Sequence, residues 1–209
     1  TTEIYTSLFV GSVKMCIRDS FNGKTMKPSL LIAADGLHSP TRKWAGLNGP
    51  TSKLKRWGLR QHYKIAPWNN LVEVHWSKDM EAYVTPVSPN TVSVAVLSHR
   101  ELISSWQKPI SLKETLQVFR SLGPKLLLSE AKDQLIGMGP LHQTVKRTGI
   151  GKVVLVGDAA GYLDAITGEG ISNAMEQALL IDQLLNKQKE KPNLDWLVID
   201  YSNQLTALM

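Results

Sequence analysis

The segment at residues 152–182, KVVLVGDAAGYLDAITGEGISNAMEQALLID, constrains the fold more than any other part of the sequence. Its apolar run at residues 153–156 predicts a buried strand that ends at Gly157 and Asp158. A stretch of small residues and then Gly168-Glu169-Gly170 lead into a predicted helix. The apolar positions of that helix are Ile171, Ala174, Ala178, Leu179 and Leu180. This order of elements predicts one unit of an open α/β sheet.

The end of this predicted strand has the chemistry of a ligand site. Ligands of open α/β sheets bind beyond the carboxyl ends of the strands, where helix N-termini point at them. A carboxylate there, such as Asp158, can accept a hydrogen bond from a ribose hydroxyl. Glycines there let backbone N–H groups approach a phosphate or a flat ring. The alternatives are that Asp158 is a helix N-cap and that Gly168 and Gly170 form an ordinary loop.

A second strand-and-turn motif lies earlier in the chain. The apolar run LLIAA ends at Asp35 and Gly36 and continues as LHSPTR. It predicts a buried parallel strand, followed by a helix with Ser39 as its N-cap and Pro40 in its first position. The alternatives are that Asp35 closes a turn with Gly36 and that Arg42 is a solvated helix residue.

Together the two motifs resemble the FAD-binding signatures of the flavoprotein monooxygenase and geranylgeranyl-reductase superfamily. GDAA followed by GxG is similar to the second signature, and DGLHSPTR is similar to DGxxSxxR. The resemblance implies a mixed α/β fold: a partial FAD-binding Rossmann-like domain with an inserted antiparallel β-sheet substrate domain. It implies that the Asp of GDAA binds the ribose or ribityl part of FAD, and that the Arg holds its loop and reaches NAD(P)H. The residues implied to bind the cofactor are Asp35, Gly36, Arg42, Gly157, Asp158, Ala159, Gly168, Gly170 and Ile171.

The chain also departs from the family pattern. The family often has His after Asp-Ala-Ala and Pro before Thr-Gly-x-Gly, where this chain has Gly161 and Ala165. The TGEG form, with Asp164, is closer to the reductase-like and halogenase-like branches. The family opens with GxGxxG, and that motif occurs nowhere in the 209 residues. We therefore expect an internal fragment, also truncated at its C-terminus, that binds FAD weakly or not at all.

Alternating and β-branched runs between the two motifs predict an antiparallel sheet of three to four strands. The runs cover residues 58–65, 71–76, 81–87 and 91–97, with a turn at 88–90. Residues 111–130 then predict a helix with Ser111 as its cap. The apolar positions of that helix are Leu112, Leu116, Phe119 and Leu122. The predicted division is an uncertain segment at 1–20, FAD-binding parts at 21–56 and 146–209, and a substrate domain at 57–145.

In the resembled family this sheet forms the wall that faces the isoalloxazine ring and lines the substrate cavity. The candidate pocket residues are His62, His75, Trp76, Tyr83 and Pro86. Period-two alternation puts Glu73 and His75 on one face, and Val74 and Trp76 on the other. Which face meets the flavin is left open, and a satisfied structural histidine is the alternative for His75.

Residues 14–20, KMCIRDS, match in all seven positions one translation of AGATGTGTATAAGAGACAG, the transposon end used in sequencing-library preparation. We expect this stretch to be translated adapter, and residues 1–13 to be a joined piece of uncertain origin. The alternative is a natural β-strand with an ordinary cysteine. Cys16, the only cysteine, therefore supports no redox or nucleophile argument.

Composition bounds the setting of the protein. The 43% hydrophobic content suffices for a globular core, and no apolar run approaches the roughly 18 residues of a membrane span. A single cysteine fits a reducing cytoplasm. The net charge of +6 is dispersed, with no nucleic-acid module, so we expect no nucleic-acid partner. Contact with a membrane surface stays open, no metal site is expected, and the sequence does not indicate an oligomeric state.

The predicted function is that of an FAD-dependent oxidoreductase. The first candidate is a monooxygenase-type enzyme that uses NAD(P)H and O₂ on a small organic substrate. The alternatives are geranylgeranyl-reductase-like saturation of an isoprenoid or lipid alkene, and a flavin-fold binding module without turnover. FAD carries the redox chemistry in this class, so the sequence assigns no catalytic residue.

Overall fold

The computed structural model describes residues 19–21, 24–26, 28–51, 56–99, 111–165, 168–187 and 193–208. Residues 14–18 of the suspected adapter segment, Cys16 included, lie outside the described residues, as do Ile166 and Thr167. The chain divides into two compact units. The split unit comprises Thr1–Ser52 and His142–Met209, and the inserted unit comprises Lys53–Leu141.

In chain order, the strands are β1 (Asp19–Phe21), β2 (Lys24–Met26), β3 (Leu31–Ala33), β4 (Arg56–Lys64), β5 (Glu73–Trp76), β6 (Met80–Ser88), β7 (Thr91–His99), β8 (Glu130–Ala131), β9 (Ile136–Met138), β10 (Gly149–Ile150) and β11 (Val153–Leu155). The helices are α1 (Pro40–Trp44), α2 (Leu112–Thr115), α3 (Gly123–Leu126), α4 (Gly170–Asn186) and α5 (Leu194–Leu208), with 3-10 turns at Leu116–Val118 and Gly157–Ala159. None of these described helices is long and apolar enough to span a membrane.

The split unit is built on a three-stranded sheet of order β10-β11-β3. Strand β11 runs parallel to β3, with Val153 opposite Leu31, and antiparallel to β10. The two motif strands are therefore neighbours in one sheet, as the sequence predicts. Helices α4 and α5 pack on β11, and the Tyr201 hydroxyl donates to the carbonyl of Leu155 at 2.7 Å. The parallel pair, covered by helices, confirms the mixed α/β class.

The inserted unit is an antiparallel sheet of order β5-β6-β7-β4-β8, with β9 also paired to β4. The four strands predicted from alternation are confirmed as β4 to β7. Strands β8 and β9 add to the sheet; they are two and three residues long and carry no alternating pattern to announce them. The first segment after this unit returns to the split unit, because Gln143 pairs with Tyr162 and Val145 pairs with Asn48.

The helical segment predicted over residues 111–130 is confirmed in part, because it is not a single helix. It forms α2, a 3-10 turn and α3, because Phe119 has an extended backbone (φ −91, ψ 98) and Pro124 has no N–H to donate within a helix. The predicted cap is confirmed, since the Ser111 hydroxyl accepts the Glu114 N–H at 3.4 Å. The predicted apolar residues are also confirmed as core, packed on one face of the sheet; they are Leu112, Leu116, Phe119 and Leu122.

The apolar face predicted for α4 is largely wrong. Its buried residues are Gln177, Ile181 and Leu184, whose spacing follows one stripe of a helix. Ile171 is 73% exposed, and Leu179 and Ala178 are also exposed. The error arose because the buried stripe begins with a polar residue, which hydrophobic periodicity does not detect.

Candidate functional site

The two motif loops leave the sheet side by side. The N–H of Val156 donates to the carbonyl of Ala33 at 2.9 Å, so the pairing of β11 with β3 continues to the last residue before each loop. Asp35 and Asp158 follow these points within two residues. The structure therefore brings both motifs together at the carboxyl ends of adjacent parallel strands, where open α/β sheets bind ligands.

Asp35 shapes its own loop. Its carboxylate accepts hydrogen bonds from the Ser39 hydroxyl and, at 3.0 Å, from the N–H of Thr41. Ser39 in turn accepts the N–H of Arg42 at 2.9 Å, which confirms it as the N-cap of α1. Gly36 has φ +77, a conformation that glycine adopts without strain. Both carboxylate oxygens of Asp35 thus accept hydrogen bonds within the loop. This agrees with the alternative in which Asp35 closes a turn with Gly36.

Arg42 joins the two loops. Its side chain is buried (3% exposed) and its guanidinium donates to the carbonyls of Leu37 at 2.7 Å and Ala159 at 2.9 Å. It also donates to the carbonyl of Asp158 at 3.3 Å and to the side chain of Asn48 at 2.9 Å. Burial lowers the pKa of Arg42, and the nearby charge of Asp35 opposes that change. The alternative of a solvated helix residue is therefore wrong, and the guanidinium points into the protein.

Asp158 has a different environment from Asp35. No described residue donates a hydrogen bond to its carboxylate, and burial raises its pKa. A Cβ on Gly170 would lie 3.8 Å from Oδ1 of Asp158, so the carboxylate stands beside the first turn of α4. That helix has no side-chain cap and no acidic residue in its first turn. No described side chain caps its first N–H groups, so these groups and the partial positive charge of this helix end can hold an anion.

The glycines of this region open space for a ligand's approach. Gly157 and Gly168 adopt φ +59 and +68. Gly170 is the first residue of α4, and a Cβ there would meet Oδ1 of Asp158 in ordinary van der Waals contact. Ala159 is fully buried and contributes its carbonyl to Arg42, whereas Ile171 presents its side chain outward. The carboxylate of Asp158 can accept a hydrogen bond from a hydroxyl group, and the N–H groups at the start of α4 can donate to a phosphate. Together with the glycines, these groups suit a phosphate-bearing cofactor such as FAD.

Sequence reasoning missed Gln177. Its side-chain oxygen accepts the N–H of Gly157 at 2.6 Å, and its side chain is buried between α4 and the turn after β11. This bond links the turn that carries Asp158 to the helix that follows it. The signal available in the sequence was a polar residue in line with Ile181 and Leu184 on one helical stripe.

The candidate pocket residues of the inserted unit do not share one face. The open face, which no described helix covers, includes the cross-strand row of Val74, Tyr83, Ala95 and Arg60. Trp76 and His62 occupy neighbouring rows of this open face. His75 and Pro86 lie in rows of the opposite face, which α2 and α3 cover. Because alternation sends alternate residues to opposite faces, the five candidates divide between the two faces of the sheet, and which of them line a substrate pocket stays a prediction.

His75 has a structural environment. Its Nε2 lies 2.9 Å from Oε2 of Glu73, and its Nδ1 lies 3.0 Å from the hydroxyl of Ser121. Burial opposes ionisation of Glu73, but hydrogen bonds from Trp68, His75 and Asn69 hold its pKa below the ordinary value. The arrangement ties β5 to the helical layer, which supports the satisfied-histidine alternative.

The open face carries polar groups along both of its sides. The Tyr83 hydroxyl donates to Oε2 of Glu81 at 3.1 Å, and the other oxygen of Glu81 is 2.7 Å from Arg56. Nδ1 of His62 is 2.5 Å from the carboxylate of Asp133, and the backbone N–H of His62 donates to the same carboxylate. These two hydrogen bonds lower the pKa of Asp133. The face thus combines ordered polar groups with the exposed indole of Trp76.

The model of the family described as FAD binding domain matches residues 11–202 of this chain. A curated relative, digeranylgeranylglycerophospholipid reductase 1 of Methanothermobacter thermautotrophicus, is 26% identical over 175 residues, which are 81% of this chain and 42% of that protein. The chain thus spans less than half the length of this curated relative.

Solved structures share the fold at low sequence identity. The flavin-dependent brominase Bmp2 superposes with a TM-score of 0.77 at 16% identity, over 88% of this chain and 49% of that one. PqsL of Pseudomonas aeruginosa, a probable FAD-dependent monooxygenase, superposes with a TM-score of 0.68 at 20% identity, over 88% of this chain and 53% of that one. At this identity the likeness establishes the fold alone.

Proposed function

Because this chain belongs to the FAD binding domain family, we propose that the loops after β3 and β11 and the N-terminus of α4 form part of the FAD site of an oxidoreductase. One observation carries the proposal. The carboxylate of Asp158 has no described partner, is partly desolvated and stands beside an uncapped helix N-terminus. A partly buried carboxylate to which no described residue donates a hydrogen bond lowers the stability of the fold, and such groups are typical of binding sites.

Each residue has a distinct proposed role toward FAD. Asp158 accepts a hydrogen bond from a ribose or ribityl hydroxyl, and the N–H groups at Gly170 and Ile171 face the pyrophosphate. Arg42 is a positioning residue that holds the two loops at a fixed separation through their carbonyls. When bound, FAD supplies two-electron redox chemistry, with NAD(P)H as the proposed donor.

We propose reduction of a lipid or isoprenoid alkene as the reaction of the whole protein. The curated relative at 26% identity is named digeranylgeranylglycerophospholipid reductase 1, and the TGEG form of the glycine motif agrees with the reductase-like branch. The second candidate is monooxygenation, which the fold of PqsL supports. In either case the substrate contacts are proposed for the open face, where Val74 and Trp76 supply apolar surface and Tyr83 is held by Glu81.

The reaction class is tested on the longest protein that carries this chain, supplied with FAD and NADPH. Saturation of a geranylgeranyl lipid without oxygen, matched by NADPH consumption, is the expected result. Oxygen-dependent NADPH loss with a hydroxylated product would contradict alkene reduction and support monooxygenation, the second candidate. A protein that binds FAD but is never reduced would establish the binding module without turnover.

For the 209-residue chain itself we propose weak FAD binding rather than none. Asp158, the free N–H groups of α4 and the two joined loops are all in place, whereas the GxGxxG unit is missing from the sequence. Stoichiometric FAD retained through purification of this chain would refute the proposal that it forms only part of the site.

A further inference from the structure

The segment that follows the inserted unit is paired with two other segments of the split unit. We call residues 142–146 the return segment and residues 161–165, which follow GDAA, the linking loop. The N–H of Lys146 donates to the carbonyl of Leu47 at 2.9 Å, so the return segment pairs with the residues after α1. Gln143 and Tyr162 exchange two backbone hydrogen bonds, of 2.6 and 2.8 Å, so the return segment pairs with the linking loop as well.

The side chain of His142 adds a contact to this pairing. Its Nδ1 lies 2.9 Å from the carbonyl oxygen of Leu163, the residue after Tyr162. A carbonyl oxygen can only accept a hydrogen bond, so Nδ1 carries the hydrogen and donates it. The side chain of Leu163 is 58% exposed and gives the loop no anchor in the core. Hydrogen bonds to the return segment therefore hold this part of the linking loop in place.

The linking loop joins the groups that are proposed to contact FAD. It leads from Asp158 towards Gly168 and the first turn of α4. It begins at Gly161, whose φ is +140, a backbone conformation that residues other than glycine rarely adopt. Because glycine has the largest conformational freedom of any residue, a loop that starts there depends on outside contacts to keep one conformation.

We propose that His142 is a positioning residue of the FAD site, which holds the linking loop in the conformation that binds the cofactor. The proposal rests on the proposed function of the loops after β3 and β11. It assigns the effect to Nδ1, since no described residue bonds to Nε2 and His142 acts through the loop rather than on FAD. Two amide side chains separate the roles of these atoms. Asn places an N–H donor close to the position of Nδ1, whereas Gln places one close to that of Nε2.

The first test needs no FAD. In the 209-residue chain, we expect the imidazole nitrogen shifts of His142 to place a hydrogen on Nδ1. Amide exchange at Gln143 and Tyr162 is expected to quicken about fivefold in His142→Ala, because the loop loses a hydrogen bond. His142→Asn is expected to keep the slow exchange, and His142→Gln to lose it. The matched control is His99→Ala at the exposed end of β7, which leaves both amides unchanged. Equal exchange in His142→Ala and the unaltered chain would overturn the proposal.

The second test is titration of the same variants with FAD. His142→Ala and His142→Gln are expected to raise the Kd for FAD about fivefold, and His142→Asn to leave it nearly unchanged. Unchanged FAD binding in His142→Ala would overturn the proposal and leave the FAD site standing. Recovery with Gln but not with Asn would also overturn it, since Nε2 would then contact the cofactor. If the unaltered chain binds no FAD, the FAD site itself is refuted, and this role of His142 with it.

Discussion

Arg42 makes structural contacts that its place in the DGLHSPTR motif does not predict. Its guanidinium satisfies carbonyls from both motif loops, and no other described side chain bonds to both of them. We predict that Arg42→Met lowers the free energy of unfolding of the split unit by about 2–4 kcal/mol, because buried carbonyls lose a charged donor. Urea denaturation measures this, with Lys43→Met on the exposed side of α1 as the control. Equal stability of the two variants would show that the loops hold together without Arg42.

We predict that the carboxylate of Asp158 lowers the stability of the fold and strengthens FAD binding. Burial raises its pKa above the ordinary 3.8, so the unfolded chain ionises at lower pH than the folded one. The native state therefore loses stability as pH rises through this interval and is unaffected below it. We expect Asp158→Asn to raise the melting temperature by about 1–3 °C at neutral pH, with no difference below the ordinary pKa.

The same variant is expected to weaken FAD binding about tenfold, since an amide replaces the hydroxyl acceptor. Glu176→Gln, an exposed carboxylate on α4, is the control for a change of charge alone. A melting temperature that falls on Asp158→Asn would mean that the carboxylate stabilises the fold, contrary to its lack of described partners.

At the scale of elements, α4 is fastened to the turn after β11 by a side chain that periodicity overlooked. Gln177→Leu leaves the N–H of Gly157 without an acceptor, and we predict a loss of about 1–3 kcal/mol in the free energy of unfolding. Gln183→Leu makes the same change on the exposed side of α4 and is predicted to be neutral. Chemical denaturation of the two variants decides it, and equal midpoints would contradict the role of this bond.

Elements differed in how far the sequence could predict them. The N-cap at Ser39, the parallel motif strands and β4 to β7 rest on local patterns, and all are confirmed. The helical pieces at 111–130 follow from their apolar spacing, but the breaks at Phe119 and at Gly123 and Pro124 do not, because the spacing of the apolar residues continues across them. The contacts of Arg42 and Gln177 join distant segments, so no local pattern in the sequence could specify them.

At the scale of the whole molecule, each unit has its own apolar core. Val154, Leu155 and Tyr201 belong to that of the split unit, and Val94, Val96 and Leu116 belong to that of the inserted unit. Sequence patterns assigned the strands of both units, since each unit buries its own alternating or continuous apolar runs. Alternation separates the pocket candidates into two faces, but it does not predict which of the two faces the helices cover.

Because each unit has its own core, we predict that a cavity-creating substitution in one unit destabilises that unit and not the other. Leu155→Ala is expected to cost about 2–5 kcal/mol, because the side chain is fully buried. Amide hydrogen exchange should show the lost protection in β3 and β11 but not in β6 and β7. Val94→Ala should give the reverse pattern. Uniform loss of protection across both units in either variant would show that they unfold as one.

The most direct test of the FAD site is a titration of the isotopically labelled 209-residue chain with FAD, followed by NMR. We predict saturable shifts with a Kd on the order of 1 mM, confined to amides at residues 35–39, 157–160 and 168–172, and greatly reduced in Asp158→Asn. No shift at several times that concentration, or shifts confined to the antiparallel sheet of the inserted unit, would contradict a flavin site at the ends of β3 and β11.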